Sequence, residues 1–346
     1  MMKQGISIIV CCYNSADRLP ETLEHIAVQQ CNPAINWEVI VVNNGSTDST
    51  ASVAQNTWQS LGEPTKIAIV EEPRPGLSHA RTCGVTYAAY SYISFIDDDN
   101  WIDKNWVQTA FSLMNAHPEW GAVGSRNIGA YEEPPPVWFN HFAYLYAIGE
   151  QQLDTRQEVY ELWGAGLTFR KEVWCQLEKC DVTRLLDDRT ANVLSSGGDS
   201  EICMLFKMLG YKLNYVPELT THHFMPVRRL EWSYTRKLLT GIAHARFPLA
   251  VYTRLCKSNQ SAARQTSLYW LVFCGKCLLI AAYGWSRWKL SLKSTEGNPY
   301  YAKFLFYKSV FKVRNYQVDR QIIKKIHQNY LTIQRCKQIV NEPPNR

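Results

Sequence analysis

The stretch Tyr92-Ile93-Ser94-Phe95-Ile96-Asp97-Asp98-Asp99 runs from a mostly apolar segment directly into three carboxylates. A short run of this kind reads as a buried strand. Three like charges where such a strand meets solvent repel and raise one another's pKa unless something positive binds there. A hard divalent cation carrying phosphate oxygens would relieve that repulsion.

Outward from this stretch, strand and helix patterns alternate. Residues 6–12, 38–42, 66–70, 92–96 and 121–128 read as strands; 18–30, 47–60, 77–90 and 104–116 read as the helices between them. The alternation predicts an α/β fold, a mostly parallel central sheet with helices on both faces. Ligands of such sheets sit at the carboxyl ends of the strands. Polar residues cluster there: Asn14 after the first strand, Asn43-Asn44-Gly45-Ser46 after the second, and the aspartates after the fourth. Residues 130–165 break the pattern with Glu132-Glu133-Pro134-Pro135-Pro136 and an aromatic stretch. A helix resumes near Asp199 and stops at Gly210, and two more helical patterns follow at 228–245 and 267–285.

The chain has 346 residues, 46% of them apolar, enough for a substantial core and contrary to disorder. Its net charge of +6 is unevenly spread. Residues 286–346 carry thirteen Lys/Arg against three Asp/Glu, leaving the first 285 residues with twenty-four against twenty-eight. A basic tail suits an anionic partner such as a lipid surface, or is a solvated helical face. Residues 268–285 hold one charge, Lys276, with basic flanks. A spanning helix, an interfacial helix and a buried helix all remain open there. The eleven cysteines show no paired metal-ligand spacing, and Cys274-x-x-Cys277 lies within that apolar run, so packing thiols in a reducing cytoplasm are expected. The start of the chain has no long apolar core with a small-residue cleavage site, which argues against a signal peptide.

Several residues stand out chemically. Gly45 permits a tight turn and Ser46 or Thr47 can cap the next helix; the amides of Asn43 or Asn44 can pair with the polar edge of a nucleobase. Arg81 falls near a helix start, where the helix dipole disfavours a cation unless an anion meets it: a nucleotide, or Glu71 or Glu72. In the triplet, one carboxylate can hold a ribose hydroxyl and another a cation. Asp199 and Glu201 place two carboxylates at a helix start, and one of them can take a proton from an incoming hydroxyl. His222 and His223 are candidates for a metal or phosphate ligand, or a structural pair.

Taken in order, Ser7 to Asn14, Val41 to Asp48, Pro75 to Arg81, Phe95 to Asp99 and Gly198 to Glu201 resemble the family-2 glycosyltransferases, inverting enzymes of the GT-A fold. The resemblance covers roughly residues 5–225 and implies a GT-A domain over 1–225 followed by a helical, basic region over 226–346. It implies a nucleotide-sugar donor, with a UDP-sugar favoured, Mn²⁺ or Mg²⁺ held through a D-x-D element, and transfer to a hydroxyl with inversion. Carried over by position, Asn14, Asn43, Asn44 and Arg81 face the nucleoside, Asp97 and Asp98 the ribose, and Asp99 and His223 the metal. Asp199 falls at the catalytic base, with Glu201 as its competitor, and Trp163, Gly164 and Glu201 on the acceptor side. The acceptor would be a glycan or a lipid-linked sugar in cell-surface or extracellular polysaccharide synthesis, at the cytoplasmic face of the membrane; no nucleic-acid partner is implied. Two other classes fit less well: a sugar nucleotidyltransferase, and a non-catalytic, membrane-associated nucleotide-sugar-binding protein.

Overall fold

A computed structural model describes residues 2–152, 154, 156–186, 196–258 and 316–341, with positions 275, 279 and 282. Eight strands form one sheet: β1 (Lys3–Cys12), β2 (Trp37–Asn43), β3 (Lys66–Glu71), β4 (Tyr90–Asp97), β5 (Asn100–Ile102), β6 (Trp120–Tyr131), β7 (Leu167–Arg170) and β8 (Lys212–Met225). Their spatial order is β3-β2-β1-β4-β7-β6-β8-β5. The first four are parallel neighbours, β7 runs antiparallel to both β4 and β6, and β8 pairs parallel with β6 and antiparallel with β5. The mostly parallel sheet read from the sequence is therefore present, with an antiparallel insertion at β7 and an antiparallel edge at β5.

Strand alternation assigns the two faces. Ile6, Ile8, Val10, Val39 and Val41 point to one side, where α1 (Leu19–Ala27), α2 (Thr50–Ser60) and α4 (Trp106–Ala116) bring Leu23, Trp58 and Trp106. Ile9, Ile40, Val42, Ile93 and Phe95 point to the other, against α3 (Leu77–Tyr87), α5 (Lys171–Lys179) and α6 (Gly198–Leu209). Coverage on both sides explains why β1 is buried almost continuously instead of alternating.

Two further helices join the second face. The helix expected at 228–245 is a 3₁₀ turn, Val227–Arg229, and then α7 (Trp232–Ser258), which continues past Pro248. Leu249, Tyr252 and Leu255 of α7 and Ile326, Tyr330 and Ile333 of α8 (Tyr316–Asn341) lie in the same apolar cluster as α6. Beyond residue 225 the chain thus goes on contributing to the core of the sheet domain. The apolar segment 268–285 and the Cys274–Cys277 pair lie outside the described residues, apart from positions 275, 279 and 282. Among the described residues no helix is long and apolar enough to cross a membrane.

The strands missed in sequence are short or interrupted. β5 and β7 are three and four residues long. β8 is broken by Pro217, where its register on β6 jumps from Ser125↔Val216 to Arg126↔Thr220.

Glu201, read above as an acceptor-side carboxylate and a competing base, points into the core instead. Its carboxylate accepts the Leu185 amide at 2.9 and 3.0 Å, the Leu186 amide at 2.9 Å and the Tyr252 hydroxyl at 2.6 Å. It ties α6 to α7, and its side chain does not line the cavity described below. Burial raises its pKa to about 7, against the lowering effect of the Tyr252 hydroxyl and the two amides. Because the folded state favours the protonated form, this contribution to stability is complete below about pH 4.5 and is lost as pH rises through 7. The difference amounts to about 3 kcal/mol. Thermal melts of wild type and Glu201→Gln should therefore diverge, the wild type losing ground to the variant between about pH 4.5 and 7.5. Parallel pH profiles for the two proteins would refute the assignment.

Candidate active site

The strand order reverses between β1 and β4, and a cavity of about 470 Å³ opens at their carboxyl ends. The parallel register puts Asp97 beside Cys11, and Asn43 beside Cys12. Asp97, Asp98 and Asp99 line the cavity together with Asn44, Arg81, Trp163, Gly164, Asp199 and His223. Leu238, Ile242 and Leu249 of α7 form an apolar wall. Residues remote in sequence thus converge where open α/β sheets bind ligands.

Each aspartate of the triplet meets a different arginine. Arg81 lies 3.9 Å from Asp97, its guanidinium 5.1 Å above the Phe95 ring. The anion that the helix start required for Arg81 is therefore Asp97, while Glu72 is taken by Arg74 at 2.8 Å. Arg18 donates to Asp98 at 2.7 Å, and the Ser15 hydroxyl also donates to that carboxylate. Burial and the charge of Asp99 nevertheless push the Asp98 carboxyl above its usual range, outweighing Arg18. Thr22 donates to the Asp98 carbonyl at 3.0 Å, so the turn after β4 is pinned to α1. Asp98 lines the cavity with a carboxylate already committed to Ser15 and Arg18.

Asp99 is held by the other side of the sheet. The antiparallel pairing of β5 with β8 sets Asn100 opposite His223, and the Phe224 amide donates to the Asp99 carbonyl at 2.8 Å. That ladder brings His223 Nε2 to 3.5 Å from Asp99 Oδ1. Alternation along β8 leaves His222 exposed and turns His223 inward, which resolves the choice between them by position. Arg229, from the turn after β8, lies 2.7 Å from Asp99 Oδ2 and 3.3 Å from His223 Nε2. Burial works against the guanidinium, but the charge of Asp99 more than compensates and keeps it protonated.

A carboxylate is a suitable donor for Mn²⁺ or Mg²⁺, and an imidazole beside it suits the transition metal Mn²⁺ better than Mg²⁺. Among the described residues no three His, Cys, Asp or Glu side chains converge as a metal cage. The pair fits an ion that takes its other ligands from phosphate oxygens and water, as Mg²⁺ does in nucleotide sites.

Asp199 sits in the first turn of α6. Its Oδ2 accepts the Gly164 amide at 2.7 Å and its Oδ1 the Ser200 amide at 2.8 Å. Gly164 is confined by Arg81: a Cβ there would lie 2.3 Å from the guanidinium. Gln151 fixes the same segment, accepting the Trp163 amide at 2.7 Å and donating to the Ser125 carbonyl at 2.7 Å.

The asparagines play a different part. Asn14, at φ 49°, accepts the Thr47 amide on its side-chain oxygen at 2.8 Å and donates its backbone amide to Ser46 Oγ at 3.0 Å, so it braces one loop against another outside the cavity. Asn43 donates both its contacts, at 3.0 and 2.9 Å, to Glu71 and is likewise not in the cavity wall. Asn44 does reach the wall, but its amide spans the Glu72 and Arg74 carbonyls and the Gly76 amide. Helix α2 starts at Thr50 and not at Ser46 or Thr47, because Asp48 accepts the Thr50 amide at 3.0 Å. Sequence reasoning missed Arg18, Arg229 and Arg246, all in the cavity wall. Arg229 stands beside the exposed Arg228, and only the fold separates the two.

Residues 7–175 match the model of the family described as glycosyl transferase family 2. The chain is 29% identical over 141 residues to the glycosyltransferase GlyA of Streptococcus pneumoniae, a match covering 41% of this chain and 19% of that protein. It is 20% identical over 235 residues to the glucosyl-dolichyl phosphate glucuronosyltransferase of Haloferax volcanii, covering 66% and 72%. It is 30% identical over 117 residues to the poly(ribitol-phosphate) β-N-acetylglucosaminyltransferase TarS of Staphylococcus aureus, covering 34% and 20%. The chain thus spans between a fifth and about three quarters of the length of these relatives. A reversed strand order, carboxylates at the end of β4, a helix-start aspartate lining the same cavity and the matched segment agree: residues 7–175 carry the match to glycosyl transferase family 2.

Proposed function

We propose that the chain transfers a sugar, with inversion, from a nucleoside-diphosphate donor to an acceptor hydroxyl, with help from a divalent cation. The observation that carries this is that Asp199 on α6 and the Asp99–His223 pair beyond β4 line one cavity. The first is a proton acceptor, and the second a seat for a cation that would meet negative charge.

In this reaction Asp199 removes the acceptor's hydroxyl proton as that oxygen attacks the anomeric carbon. The new carbon–oxygen bond forms while the bond to the diphosphate breaks, and the nucleoside diphosphate leaves with the electron pair. The Gly164 and Ser200 amides hold the Asp199 carboxylate in place. A divalent cation at Asp99 and His223 would supply Lewis-acid stabilisation of the departing diphosphate. Trp163 offers an aromatic face beside Gly164 for a sugar ring, and Arg81 a fixed positive charge above Phe95.

The names of the archaeal and staphylococcal relatives support a lipid-linked or polymeric acceptor. With the basic C-terminal stretch, this favours work at the inner face of the cell membrane in surface polysaccharide synthesis. A UDP-sugar is the donor proposed. A nucleotidyltransferase is disfavoured because the β1–α1 loop, Tyr13-Asn14-Ser15-Ala16, has no glycine and is tied to Ser46 and Thr47.

Purified protein offered a panel of nucleotide sugars should release nucleoside diphosphate from one of them, lose that activity in EDTA and regain it with Mn²⁺ or Mg²⁺. Asp99→Ala should lower turnover by about a hundredfold or more. Asp199→Asn should lower kcat about a hundredfold or more while donor Kd stays within about threefold. Full transfer by either variant would sink the corresponding role, and nucleotide binding without turnover would favour the non-catalytic alternative.

A further inference from the structure

Arg229 holds both protein donors that the proposed cation would use. Its Nη2 is 2.7 Å from Asp99 Oδ2 and its Nη1 is 3.3 Å from His223 Nε2. A guanidinium has donors only, so Nε2 accepts, and the lone pair it directs at Arg229 is the one a metal would take. The three side chains are 13%, 4% and 4% exposed, and all line the cavity. Water therefore screens this contact poorly, and displacing the guanidinium leaves a buried carboxylate unless another cation replaces it.

We propose that Arg229 is a resident counter-cation that makes metal binding conditional on the donor. Without nucleotide it neutralises Asp99 and occupies His223. When a nucleoside diphosphate enters, its oxygens offer the planar guanidinium a bidentate anionic partner. Arg229 then exchanges its carboxylate for the diphosphate, and Mn²⁺ or Mg²⁺ takes its place on Asp99 and His223. A cation faces Asp99 throughout the exchange, and Arg229 becomes a second positive group on the side from which the diphosphate departs. Arg229 follows the 3₁₀ turn's Val227 and Arg228 directly after β8, so a change in its side chain needs no movement of the strand that carries His223.

The inference rests on the assignment of Asp99 to the cation, so the test separates the two. Mn²⁺ binding would be measured by electron paramagnetic resonance and calorimetry on full-length wild type, Arg229→Gln, Arg229→Lys and Asp99→Asn, each checked for a native thermal melt. In the absence of nucleotide, Arg229→Gln should bind Mn²⁺ about tenfold or more tightly than wild type. The gain in Mn²⁺ affinity produced by UDP should shrink in the variant by the same factor, since nucleotide no longer has to draw Arg229 off Asp99 and His223, and by reciprocity the gain in UDP affinity produced by Mn²⁺ should shrink equally. Arg229→Lys, whose single ammonium cannot span both partners, should give an intermediate increase and serves as the reading if the glutamine variant fails to fold. Unchanged or weaker Mn²⁺ binding by the folded Arg229 variants, with Asp99→Asn still abolishing binding in the presence of UDP, would overturn the role of Arg229 alone. Binding that also survives Asp99→Asn would overturn the metal assignment and this inference with it.

Discussion

Three adjacent carboxylates end β4, and each is matched by an arginine from a different part of the chain: Arg81 for Asp97, Arg18 for Asp98 and Arg229 for Asp99. Like charges packed at the mouth of a buried strand would otherwise repel strongly. The matching gathers α3, the loop before α1 and the turn after β8 around one point. What forms is a cavity whose shape is defined by charge neutralisation as much as by apolar packing.

The three pairs differ in consequence. The Asp98–Arg18 pair, with Ser15 and Thr22, is closed upon itself and fixes the turn after β4 against α1. The Asp97–Arg81 contact is longer, and Arg81 is also held by the Phe95 face and by the absence of a side chain at Gly164. Gly164 in turn donates to Asp199, so that carboxylate is positioned relative to the triplet through a short chain of contacts. Removing a partner in such a chain displaces more than one group, which is how a site of this kind stays ordered across a sheet.

A similar economy appears away from the cavity. Glu201, two residues after Asp199 on α6, turns to the opposite side and binds the Leu185 and Leu186 amides and Tyr252. Two carboxylates of one helix start therefore divide between the cavity and the core. Helix geometry separates their directions by roughly 200° at 100° per residue, enough to give neighbours in sequence unrelated work.

Much of this was legible in the sequence. The alternation of β-branched runs with helical patterns specified the parallel sheet, because burial on both faces demands it, and the polar strand ends marked where a ligand would lie. The aspartate triplet, Arg81, Asp199 and the Trp163-Gly164 segment could be named from residue type and order. Sequence could not tell that Asn14 and Asn43 are spent on bracing loops, since an asparagine amide serves a backbone or a base equally well. Nor could it choose between His222 and His223, or between Arg228 and Arg229. Those choices depend on which face of β8 meets β5 and on where the chain turns next, and they follow from pairing over more than a hundred residues. Local chemistry determined which groups were available; only the tertiary register decided which of them share one low-dielectric space and therefore act on one another.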